Sequence, residues 1–124
     1  YSRITNTYIK MTVYNVEAAT VDLIFTVNDT INMTFAIEQN DVAYDMTGMA
    51  IDMHVRKCDG TLVKSFSTTG GSPEITIAVD EFTVTDTGFP KIGRYKYDVQ
   101  VINLSSHTLT IMKGNVIVKA EETA

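Results

Sequence analysis

Cysteine occurs once in these 124 residues, at Cys58, so the chain can form no internal disulfide. A lone reduced thiol beside a turn fits a protein made in a cytosol. Basic side chains are also scarce: 10 Lys and Arg, spread along the chain, stand against 15 Asp and Glu, for a net charge of −5. A surface that tracks phosphates needs a basic stripe, so no nucleic-acid partner is expected. The apolar runs are only a few residues long and no signal segment is visible, so no membrane association is expected either. The sequence starts at Tyr1 without an initiator methionine, from which we expect a processed chain or part of a longer one.

Reactive groups are equally sparse. Two histidines, His54 and His107, with one distant cysteine match no zinc spacing, and neither metal nor cofactor is expected. In an extended strand His54 and Cys58 lie about 13 Å apart, too far for a nucleophile and its base. No G-x-S-x-G occurs, and the loop Thr68 to Pro73 (TTGGSP) lacks the lysine and following helix of a phosphate-cradling loop. No acid, base and nucleophile converge, so the chain reads as non-enzymatic.

What the chain does have is alternation. In Asp45 to Ser67, Met49, Ile51, Met53 and Val55 share one side of an extended chain, and Ala50, Asp52, His54 and Arg56 share the other. Asp59-Gly60 suits a two-residue turn, and Thr61 to Ser67 returns as a second strand, making a β-hairpin. Ile9 to Val13, Val21 to Val27, Ile31 to Ile37, Ile75 to Val79, Phe82 to Val84 and Arg94 to Ile102 alternate likewise. Thr108 to Met112 and Asn115 to Lys119 read as a closing hairpin around Lys113-Gly114. The sum is roughly eight to ten short strands with turn signals between them, an all-β two-sheet sandwich with an extended N-terminal arm.

The polar candidates have plain structural readings. His54, between Asp52 and Arg56, fits a solvated row of alternating charge better than a ligand or acid–base pair. Asp80, Glu81 and Asp86 form no D-x-D-x-D-G loop, and solvated edge carboxylates are favoured over a calcium site or a glycosidase pair. Tyr95 and Tyr97 alternate with Lys96 and Asp98, which puts their rings on the apolar side with Val99 and Val101 rather than on a sugar-stacking platform.

The series D-x-T-G-M-x-I-x-M-x-V-R-K-x-D-G-T-L-V (Asp45 to Val63), the short I-T-I (Ile75 to Ile77), G-x-Y-x-Y-D-V-Q (Gly93 to Gln100) and G-x-V-x-V (Gly114 to Val118) carry a resemblance. Together they resemble the immunoglobulin-like β-sandwich domain of tailed-phage virion proteins, similar to the amino-terminal domain of baseplate upper proteins and of related fibre and head-decoration proteins. The likeness spans about Thr30 to Ala120. It implies a structural component of the virion, assembled in the bacterial cytoplasm, that binds capsid, fibre or tail subunits and copies of itself. On this reading residues 1–28 are an arm with additional strands, 29–120 the sandwich and 121–124 a polar tail. Two contact surfaces are expected. One is the arm Tyr1 to Thr12, where Tyr1, Arg3, Tyr8 and Ile9 could add a strand to a neighbour's sheet. The other is formed by the loops Thr68 to Pro73 and Thr87 to Ile92, where Phe89 and Ile92 offer apolar contact. The alternative is a carbohydrate-binding or adhesive sandwich of a bacterial surface protein, with tyrosines exposed as a platform.

Overall fold

Alternation in the sequence becomes alternation of buried and open side chains in the computed structural model, which describes residues 4–13, 18–69 and 74–120. β6 (Ala50–Arg56) buries Ile51, Met53 and Val55, and β10 (Gly93–Ile102) buries Tyr95, Tyr97, Val99 and Val101. Their antiparallel register sets Val55 opposite Tyr97, Met53 opposite Val99 and Ile51 opposite Val101. Both strands therefore turn the same face inward, as a period of two requires.

The described residues form two sheets. One has the order β1-β4-β9-β8, where β1 is Ile4–Val13, β4 Thr30–Gln39, β8 Ile75–Ala78 and β9 Glu81–Asp86; the short β5 (Val42–Ala43) pairs with the end of β4. The other has the order β2-β11-β10-β6-β7, with β2 at Ala19–Thr20, β7 at Leu62–Ser67 and β11 at Thr108–Lys119; β3 (Leu23–Thr26) also pairs with β11. Residues from both inner faces make one core, in which Phe35 and Phe82 stack at 4.9 Å. The all-β two-sheet sandwich expected from the pattern is the observed architecture.

Four local expectations are corrected. Asp59-Gly60 is part of a three-residue loop, not a two-residue turn. The Lys57 amide donates to the Thr61 carbonyl, the Gly60 amide donates to the Lys57 carbonyl, and Gly60 takes φ +93°. That is a type I turn followed by one left-handed residue. The Thr61 amide and hydroxyl hold the Asp59 carboxyl below its usual range. Asn103 to His107 repeats the geometry with Ser106 at φ 63°.

Second, no hairpin forms at Lys113-Gly114. β11 runs on through this pair, and glycine is needed there to admit the segment between β2 and β3: a Cβ on Gly114 would overlap the Val21 carbonyl. Third, the strand expected at Val21 to Val27 is shorter, β3 at Leu23–Thr26, and β2 at Ala19–Thr20 precedes it; both run parallel to β11, with the Val21 amide bonded to the Lys113 carbonyl between them.

Fourth, the strand expected at Ile9 to Val13 begins at Ile4 and lies parallel to β4 over ten residues. The segment 1–28, set apart in the sequence reading, thus contributes β1, β2 and β3 to the same two sheets, and Leu23 and Phe25 to the core.

Edge strand β7 carries a device against further pairing. Lys64 places its ammonium 2.9 Å from Asp86 Oδ2 and 5.4 Å from the Phe89 ring centre. A half-buried charge at a sheet edge discourages a second chain from adding there.

Candidate functional site

Of the six residues expected to make protein contacts, Tyr1 and Arg3 lie outside the described residues. Tyr8 is exposed on β1 and its hydroxyl donates to Glu81 Oε2 at 2.9 Å. Ile9 sits on β1 opposite Phe35 in register. The arm's described part adds a strand to its own sheet. Ile92 is 61 % exposed, but Phe89 is 2 % exposed and belongs to the core.

The reason Phe89 turns inward is a close approach that the sequence does not display. Gly88 takes φ +113°, and a Cβ there would overlap the Asp29 carbonyl. The Gly88 amide donates to Asp86 Oδ2 at 3.1 Å, and the Asn28 amide donates to the Phe89 carbonyl at 2.8 Å. The β9–β10 loop is thereby fastened to the β3–β4 turn. Its phenyl ring enters the core and stacks between Phe25 at 5.7 Å and Tyr95 at 5.6 Å.

This loop and the β6–β7 turn enclose an open cleft of about 280 Å³. Leu62, Val63, Phe89, Pro90 and Tyr95 give it apolar lining, and Lys57 and Lys91 are the charged residues that line it. Leu62 is 49 % exposed at its mouth. Such a surface can hold an apolar side chain and attract a carboxylate; it offers nothing nucleophilic. The visible signals were the pair Phe89-Pro90 between Gly88 and Gly93, and the two lysines, but their joining depends on loops thirty residues apart in sequence.

The outer face of the six-stranded sheet is polar. Ser65, His54, Asp98, Lys113 and Thr20 form one row across five strands by register. An open groove of about 780 Å³, lined in part by Thr20, Asp98, Thr108, Thr110 and Lys113, runs along it. His54 Nδ1 stands 4.0 Å from Asp98 Oδ1, beyond hydrogen-bond distance, and that oxygen is buried without a hydrogen-bond partner. Along β6 itself, Asp52, His54 and Arg56 share this outer face, the row of alternating charge expected from the sequence.

The remaining candidates do not converge. Glu81 and Asp86 cap opposite ends of β9, about 17 Å apart by strand rise. Asp86 is taken by Lys64, and Glu81 accepts from Tyr8. Tyr95 and Tyr97 are buried, their hydroxyls bonded to the carbonyls of Lys91 and Val21, so they form no stacking platform. Cys58 is exposed in its loop. Among the described residues no three His, Cys, Asp or Glu side chains gather as metal ligands, and no helix is long and apolar enough to cross a membrane.

No protein-family model and no curated protein sequence matches the chain. Among solved structures, CopC from Methylosinus trichosporium OB3b is 13 % identical at a TM-score of 0.40, over 65 % of this chain and 84 % of that one. Extracellular domains 3–5 of Drosophila OTK are 14 % identical at a TM-score of 0.33, over 81 % of this chain and 32 % of that one. The N-terminal domain of ORF48 of phage TP901-1 is 12 % identical at a TM-score of 0.50, and the match covers 91 % of this chain and 98 % of that domain. The chain is thus similar in fold to that phage domain across nearly the whole of both.

Proposed function

We propose that this chain is a non-enzymatic structural module of a tailed-phage virion, a fibre, baseplate or head-decoration domain that anchors or decorates through protein contacts. The observation that carries the reading is the fold likeness to a phage domain over 91 % of this chain and 98 % of the other. The surface chemistry supports it: the cleft between Leu62 and Phe89 suits a protein side chain. A sugar-binding role is weaker, because Tyr95 and Tyr97 are in the core.

The test is physical association with particles. Virus particles from the source of the sequence are purified through a density gradient and digested for mass spectrometry. Peptides of this chain are expected to band with the particles at a fixed ratio to the major capsid protein. Peptides found only in the soluble or cell-envelope fractions overturn the reading.

A further inference from the structure

Exposed large apolar side chains gather at the two ends of the sandwich. β10 spans about 30 Å from Gly93 to Ile102, and loops cluster beyond each of its ends. Of the seven such side chains among the described residues, five are end residues: Leu62 and Ile92 near Gly93, and Val42, Val79 and Leu104 near Ile102. The second group shares one surface. The Met46 amide donates to the Val79 carbonyl at 2.8 Å, Gly48 lies against Leu104, and β5 with Val42 pairs with the same end of β4 that receives the Val79–Asp80 turn.

Charge is divided in the same way. The cleft is lined by Lys57 and Lys91 and by no carboxylate. Asp59 acts on Lys57 from outside the lining, with its own oxygen accepting the Thr61 amide, and Asp86 is held by Lys64. At the other end, the loops 40–49, 79–80 and 103–107 carry Asp41, Asp45 and Asp80 and no lysine or arginine.

Val79 adds an independent observation. It is β-branched, stands at φ 58° in the β8–β9 turn and is 60 % exposed. Such a position suits glycine or asparagine, so a valine held there in water gives the fold little in return for its strain.

We propose that copies of this chain associate end to end, the Val79–Asp80 tip of one copy entering the Leu62–Phe89 cleft of the next and setting Asp80 against Lys57 and Lys91. The cleft, about 280 Å³, is below the usual size of a small-molecule site and admits one or two side chains. Tip and cleft are different surfaces at opposite ends, so the contact is heterologous: it repeats, closing into a ring or extending as a filament. The ion pairs lie at the rim, where they orient the encounter and are screened by salt. The inference does not depend on the virion reading; self-association and particle association can each fail alone.

Sedimentation velocity of the whole chain tests it, at protein concentrations up to about 1 mM, where even a weak specific contact is populated. Wild type is expected to form species larger than a dimer, diminishing as salt is raised. Leu62→Asp and Val79→Asp, both at exposed positions, are each expected to be monomeric, with a urea midpoint unchanged in the first and unchanged or raised in the second, where aspartate relieves the left-handed strain. Mixed together they are expected to form a dimer and nothing larger, because only the tip of L62D and the cleft of V79D remain able to pair. K57E/K91E is expected to be monomeric alone and to regain association with D80K. A monomeric wild type, association unaffected by either Asp substitution, or a mixture that stays monomeric overturns the proposal.

Discussion

The Tyr97 hydroxyl donates to the Val21 carbonyl, 76 residues away in sequence, and Tyr97 reaches it beside Gly114, its register partner on β11. The same carbonyl is the atom a Cβ on Gly114 would strike. One glycine and one phenol thus fix the approach of the β2–β3 segment to the six-stranded sheet. Tyr97→Phe removes the donor from a half-buried acceptor and is expected to cost about 1 kcal/mol. Gly114→Ala forces the segment outward and is expected to cost about as much. Because both act on one contact, their effects should sum to less than additive in the double variant. Urea denaturation of the three proteins measures this, and strict additivity would show that the two residues act separately.

Burial, and secondarily the Asp22 carboxylate, raise the Tyr97 phenol well above its ordinary value near 10. The folded chain keeps this proton at a pH where an unfolded chain gives it up. The contribution is therefore complete below about pH 10 and is lost progressively above it. Between pH 9 and 11 the urea midpoint of wild type is expected to fall more steeply than that of Tyr97→Phe. Parallel curves would mean that this hydroxyl does not govern the alkaline slope.

Phe89 and Ile92, three residues apart in one loop, should separate cleanly on substitution. Phe89 fills the space between Phe25 and Tyr95, so Phe89→Ala is expected to cost about 3–5 kcal/mol. Ile92→Ala, at a 61 % exposed side chain, is expected to stay within about 0.5 kcal/mol of wild type. Chemical denaturation distinguishes them, and a near-neutral Phe89→Ala would return that residue to the surface.

The strands were legible because one face of each is buried and the period of two is strict there: Ile51, Met53 and Val55 on β6, and Tyr95, Tyr97, Val99 and Val101 on β10, read inward from sequence and are inward. What was not legible depends on pairs distant in the chain. Gly114 resembles a turn residue unless Val21 is known to lie beside it. The parallel seat of β1 on β4 leaves no local mark, since a pairing partner is not a property of either strand alone. Phe89 resembled a loop contact because nothing near it in sequence names Asp29, whose carbonyl Gly88 approaches. The cleft was missed for the same reason. It forms only when the turn after β6 meets the loop before β10.

Val79 allows folding and association to be pulled apart. A left-handed conformation costs an L-residue about 1–2 kcal/mol, and glycine or asparagine avoids much of it. Val79→Asn is expected to raise the unfolding free energy by about 0.5–1 kcal/mol, since little apolar burial is lost at a side chain 60 % exposed. A valine kept only by the fold would leave oligomeric state unchanged in that variant. One kept for the cleft of a neighbouring copy would give a more stable chain that no longer associates. Thermal or urea unfolding and sedimentation on the same sample read both quantities, and a stabilised Val79→Asn that still forms large species would assign the strain to something other than end-to-end contact.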